Sequence, residues 1–164
     1  MLPETSGKND GNWWPEAVIK SFEEGGQCFS RQYGSMREVQ SGLHLKGNFT
    51  LAENLSDNGG LSIAYEAAFG ASGTAFSQRK KRFKHQLVPK MEAFTAEQLF
   101  FVRFARSWCA NYDNVSMALT VDTDDHAPEQ FRVNVPLANF APFSAAFGCQ
   151  RGTRMNPFEK CVIW

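Results

Sequence analysis

Two carboxylates four residues apart, in Glu53-Asn-Leu-Ser-Asp57, are the first candidates for chemistry in this chain. On a helix that spacing puts both on one face. A Glu on a buried helix can ligate zinc, and an Asp one turn later can hold a ligand histidine by its second ring nitrogen. The plainer alternative is a capping Glu with a solvent-facing Asp. A second pair, His126 and Arg132, flanks Pro128. Such residues can stabilise a developing oxyanion and bind a carbonyl or carboxylate; in a polar loop they are otherwise ordinary surface residues. The run Arg79-Lys80-Lys81-Arg82 suits phosphate, nucleic acid or proteolytic processing, or is a solvated loop. No aromatic residue interleaves within it, which argues against single-strand binding. Asn48-Phe-Thr50, Asn54-Leu-Ser56 and Asn114-Val-Ser116 match the N-glycosylation pattern, which matters only in a secreted protein.

The elements that would position these residues are mostly helical. A first helix opens at Trp14 or Pro15, carries Val18, Ile19 and Phe22 on one stripe, and is expected to stop at Gly25-Gly26. A turn-rich stretch follows to Gly47. Thr50-Leu-Ala-Glu53 has the capping-box pattern that starts a second helix bearing Glu53 and Asp57. Leu61, Ala64, Tyr65 and Ala68 continue it past Gly59-Gly60, as a buried helix whose glycines permit close contact. Residues 70–90 read as a variable surface loop. Thr95-Ala-Glu-Gln98 is a second capping box, and the following run to Cys109 is apolar almost all round, so it is expected inside a core. Phe131 to Val135 alternates and reads as a short strand. Phe143, Ala146 and Phe147 suggest a short last helix before an irregular tail, Met155 to Trp164.

Length and composition bound the rest. The 164 residues suit one domain, which can bury roughly 70% of its unfolded surface. A hydrophobic fraction of 43%, with 15 Phe, argues against disorder. Lys plus Arg and Asp plus Glu are both 17, so global charge gives no reason to expect nucleic acid or an acidic membrane as partner. No run approaches the length of a membrane span. Met1 to Trp14 is polar and Gly-rich and lacks the apolar stretch of a signal peptide, so nothing as written directs the chain out of the cytosol. Cys28, Cys109, Cys149 and Cys161 allow three pairings and contain no C-x-x-C. His44, His85 and His126 form no i, i+4 pair, so no local His-His metal site exists.

Taken in order, several blocks resemble the C-terminal part of the neprilysin family of zinc metalloendopeptidases, which includes the endothelin-converting enzymes. They are Gly-Asn-Trp-Trp (11–14), Gln-Cys-Phe-Ser-Arg-Gln-Tyr-Gly (27–34), Leu-Ala-Glu-Asn-Leu-Ser-Asp-Asn-Gly-Gly-Leu (51–61), Gln-Leu-Phe-Phe (98–101), Ser-Trp-Cys (107–109), His-Ala-Pro (126–128), Phe-Arg-Val (131–133), Phe-Gly-Cys (147–149), Met-Asn-Pro (155–157) and Cys-Val-Ile-Trp (161–164). The resemblance covers nearly the whole chain. It implies a mainly α fold, the C-terminal part of a gluzincin-type catalytic domain with little β-structure. It also implies one zinc ion as cofactor and peptides, cut on the amino side of apolar residues, as substrates. By resemblance Glu53 is the third zinc ligand, and Asp57 orients a ligand His and is sometimes given the proton-donor role. His126 stabilises the tetrahedral transition state, Arg132 holds the substrate backbone, and Trp108 lines the pocket for the side chain after the cut bond. Cys28 pairs with Cys161, whereas Cys109 and Cys149 match cysteines whose partners lie far upstream. They are expected as free thiols or as a non-native 109–149 bridge.

The departures from the family pattern carry equal weight. No H-E-x-x-H occurs in these 164 residues, and a catalytic zinc takes three protein ligands. The chain alone is therefore expected to be inactive: a fragment needing the missing N-terminal part of the peptidase in cis or in trans, or a non-catalytic peptide- or partner-binding fragment. A basic-loop module binding anionic partners is a weaker alternative. Ser107 stands where an apolar residue is usual, Glu129 where Gly is common, and Lys90-Met91 follow Pro89. The family's setting is extracellular, as a secreted or plasma-membrane ectodomain.

Overall fold

The structure, a computed structural model, describes residues 14–70 and 92–163. Six helices follow one another: α1 (Glu16–Gly34), α2 (Leu51–Phe69), α3 (Ala96–Ser107), α4 (Asn114–Thr123), α5 (Glu129–Asn139) and α6 (Ala141–Ala146). Among the described residues β-structure amounts to two isolated bridges, Arg37 with His44 and Thr153 with Asn156. The mainly α expectation holds.

α1 does not stop at Gly25-Gly26. A side chain at Gly25 would meet Ile163 Cδ1 at 3.1 Å and the Val162 carbonyl at 3.3 Å. Gly25 is thus where the C-terminal segment lies against the helix, while Gly26 faces Leu51 of α2, and packing there outweighs their poor helix propensity. The disulfide Cys28–Cys161, with Cα atoms 5.6 Å apart, fastens the same segment as the resemblance implied. Cys109 and Cys149 are free.

The capping box expected at Thr50 does not form. The Thr50 hydroxyl donates to the Lys46 carbonyl and accepts from Asn54 Nδ2, and Glu53 turns away toward His126. At Thr95 both halves of the box are present. α3 is less buried than its composition suggested: only Phe101 is fully buried, and the helix lies on the outside of a cluster of rings.

The strand expected at Phe131 to Val135 is part of α5. Two apolar clusters explain the alternation. Phe131 and Val135, one turn apart, face Phe29, Tyr33, Leu55, Met117 and Val121. Val133 and Leu137, on the opposite side of the same helix, face Leu61 and Phe101. A helix between two cores is apolar on two faces, and over five residues that mimics a strand. α2 plays the same double part through Leu55 and Leu61. α4 gave little periodic signal, because Val115 and Leu119 face solvent opposite the buried Met117 and Val121. Asp113 caps it, accepting from the backbone N–H of Val115 and of Ser116 at 2.9 Å.

A buried polar network ties these parts together. Asn139 Nδ2 donates to Gln32 Oε1 and Asn58 Oδ1, and its Oδ1 accepts from the Cys161 backbone N–H. Asn58 Nδ2 donates in turn to the Tyr33 hydroxyl. Burial pushes the Tyr33 phenol far up.

Glu38, only 2% exposed, shapes the turn between Arg37 and His44. Its carboxylate accepts from the backbone N–H of Gln40 (2.9 Å) and Ser41 (2.5 Å), and from Gln130 Nε2 on α5 (3.2 Å). Burial pushes its pKa up, but these hydrogen bonds outweigh that and leave it below the ordinary carboxylate value. A depressed folded-state pKa contributes stability at neutral pH that is lost as pH falls through that value. Glu38→Gln should therefore cost about 1.5–3 kcal/mol at pH 7. The gap to the parent chain should close below about pH 4. Urea midpoints measured across that range check it.

Candidate active site

Three segments meet at one end of α2. Glu53 and Asp57 lie one turn apart on it, as the spacing predicted. His126 sits in the short connection between α4 and α5, and Arg132 is on α5. Trp108 ends α3.

Asp57 and Arg132 form a two-pronged ion pair. Arg132 Nε donates to Oδ2 at 2.7 Å and Nη2 to Oδ1 at 2.8 Å. Both side chains are largely buried, 14% exposed for Arg132 and 10% for Asp57. The hydrogen bond that Arg132 donates to Asp57 holds the guanidinium even further above its ordinary pKa, against burial. The Trp108 ring covers that guanidinium, 4.1 Å from its Cζ to the ring centroid, a cation–π contact. Arg132 Nη1 donates to no described residue, and each Asp57 oxygen keeps lone-pair capacity beyond its one bond to Arg132.

His126 is held from the other side. Its Nε2 is 3.2 Å from Glu53 Oε2. Its Nδ1 is 2.8 Å from Asp124 Oδ1 and 2.9 Å from Asp125 Oδ1, and its backbone N–H also donates to Asp124 Oδ1. The hydrogen bond to Asp124 raises the imidazole pKa. Burial and the Arg132 charge oppose it, and Glu53 and Asp125 add to it. Sequence reasoning missed Asp124 and Asp125. The signal available was an acid two residues before the His, a spacing that lets one carboxylate reach both the ring and the backbone of that His. Asp124, Asp125 and His126 also offer atoms within 4.8 Å of one another, close enough to share a cation. Both acids are exposed, and such clusters are common without an ion.

Residues 4–163 match the family model described as Peptidase family M13, and the chain belongs to that family. It is 39% identical over 158 residues to Neprilysin-3 of Drosophila melanogaster, covering 95% of this chain and 19% of that protein. It is 38% identical over 154 residues to Neprilysin of Homo sapiens, covering 93% and 20%. Neprilysin-1 of Trittame loki is 38% identical over 153 residues, covering 93% and 21%. Among solved structures, a chain of the "Haemonchus galactose containing glycoprotein complex" superposes with a TM-score of 0.74 at 27% identity, covering 90% of this chain and 24% of that one. The chain spans about a fifth of the length of the curated relatives it matches. The loop expected at 70–90 and the basic run 79–82 lie, Gly70 apart, outside the described residues.

Proposed function

We propose that these residues are one side of a zinc metalloendopeptidase site acting on peptides with apolar side chains. The observation that carries the reading is convergence: residues from four separate parts of the sequence form two contacting sets, Glu53 with His126 and Asp57 with Arg132 and Trp108, seated one turn apart on α2. Glu53 is the metal ligand of the set. Asp57 orients a ligand histidine while anchoring Arg132. His126, with Nδ1 held by Asp124, turns Nε2 toward the oxygen that becomes negative as a peptide bond is attacked. Arg132 offers its remaining N–H groups to a substrate carbonyl. Trp108 fixes the plane of the guanidinium and borders the side-chain pocket.

The donor set tests this reading against zinc. A catalytic zinc takes three protein ligands, and with Asp57 and His126 given other roles these residues supply Glu53 alone. By themselves they do not fit the ion. The other ligands must come from polypeptide outside these 164 residues, and no step through the metal belongs to this chain alone. Among the described residues no helix is long and apolar enough to cross a membrane. The 28–161 bridge suits an oxidising compartment, in keeping with an extracellular or ectodomain setting.

The chain alone, with added zinc, should not cleave a quenched peptide. Joined to the H-E-x-x-H-bearing region of a relative, it should bind zinc and cleave. In the joined protein His126→Ala should lower kcat about 10²–10³-fold, and Glu53→Ala should remove both metal and activity. Cleavage by the chain alone that Glu53→Ala abolishes, or a joined protein indifferent to Glu53→Ala, would overturn the reading. A joined protein that binds peptide without cutting it would return the non-catalytic alternative.

A further inference from the structure

The three glycosylation patterns found in the sequence are not equivalent in the folded chain. Asn54 has no exposed surface. Its Nδ2 donates to Thr50 Oγ1 at 2.8 Å inside the core. The core leaves no room for a sugar on that nitrogen, and one there would force the start of α2 apart.

Asn48 and Asn114 are exposed. In both, the side-chain carbonyl holds the residue in place: Asn48 Oδ1 accepts from the Ser30 hydroxyl, and Asn114 Oδ1 accepts from Gln40 Nε2 at 3.0 Å. In both, Nδ2 donates to no described residue. Glycosylation uses Nδ2 and leaves the carbonyl an acceptor, so both bonds survive it. The two sites also border one surface. Phe49 follows Asn48 and Val115 follows Asn114. Phe49 lines a surface hollow with Leu119 of α4, and the Lys46–Asp122 ion pair joins its turn to that helix. Phe49, Val115 and Leu119 are each more than half exposed. Sugars at the two asparagines would lie beside this apolar face and keep it in water.

We infer that Asn48 and Asn114 are N-glycan acceptors of the folded protein and that Asn54 is not. The inference rests on the extracellular setting proposed above. The transfer takes an oligosaccharide from a lipid-linked diphosphate donor. The C1–O bond to the diphosphate breaks, a C1–Nδ2 bond forms, the amide loses one proton, and the lipid diphosphate leaves.

The test expresses the full chain behind a cleavable signal peptide in secretory cells, which separates acceptor competence from natural location. The fraction that keeps the 28–161 bridge, secreted or retained, is treated with peptide N-glycosidase in heavy-oxygen water and mapped by mass. Labelled Asp is expected at 48 and 114 and not at 54. Asn48→Gln and Asn114→Gln should each remove one step of gel mobility, and Asn54→Gln none. Label at 54 in the bridged fraction, or its absence at 48 or at 114, overturns the inference. Protein from its natural source, mapped the same way, tests the setting. Bare asparagines there, with both labelled in the directed chain, would unseat the extracellular reading and leave the two acceptors standing.

Discussion

Arg132→Ala should destabilise the folded chain by about 3–5 kcal/mol, the cost of stranding a carboxylate that is largely buried. Asp57, 10% exposed, would lose both of its hydrogen bonds from Arg132 at once. Asp57→Ala should cost a similar amount by stranding the guanidinium beneath Trp108. The double substitution Asp57→Ala/Arg132→Ala should cost clearly less than the two singles together, because neither charge is then left alone. Urea unfolding of the four chains measures the coupling. Strict additivity would show that the pair is not a unit. Arg132→Lys tests geometry apart from charge, since an ammonium cannot offer the planar fork. Asp57→Leu/Arg132→Met then separates stability from function. Near-parental stability would mean that an apolar pair serves the fold equally well, so that stability does not account for the charges.

The second large effect is loss of the bridge. The disulfide Cys28–Cys161 links residues 133 apart in sequence. Closing so long a loop restricts the unfolded chain by about 4–5 kcal/mol on the chain-entropy account. Cys28→Ala/Cys161→Ala should lower stability by at least about that amount, since both sulfurs also pack in the cluster around Phe29 and Tyr33. The measurement is the urea midpoint of the double variant against the oxidised parent. A cost below about 1 kcal/mol would show that the C-terminal segment is held by packing on Gly25 and by Asn139 rather than by the bridge.

How much of this was legible in advance depended on whether a signal was local. The Glu53–Asp57 spacing placed both on one face of α2 because helix geometry is local. The Thr95 box formed for the same reason. The Thr50 box failed because Glu53 had a better partner in His126, 73 residues away. The Gly25-Gly26 stop failed because the C-terminal segment rests on Gly25 and Leu51 of α2 lies over Gly26. α5 was misread because its two faces serve two cores, which no five-residue window contains. The site residues were named through family resemblance, but their wiring was not. Nothing near Asp57 in sequence announces Arg132 as its partner, nor Trp108 as the lid over that guanidinium.

The 133-residue span of the bridge also has a meaning in time. A ribosome adding about 5–20 residues per second delivers Cys161 on the order of ten seconds after Cys28. Cys109 and Cys149 appear in the interval, each a chemically competent partner and each arriving first. Order of arrival therefore favours the wrong pairs. What brings Cys161 to Cys28 in the fold is the surface of α1, where Gly25 leaves room for Ile163 to settle two residues beyond the correct sulfur. In the folded chain the covalent link and the packing of the C-terminal segment on α1 meet at the same place, so the geometry that seats the segment is also the geometry that picks the partner.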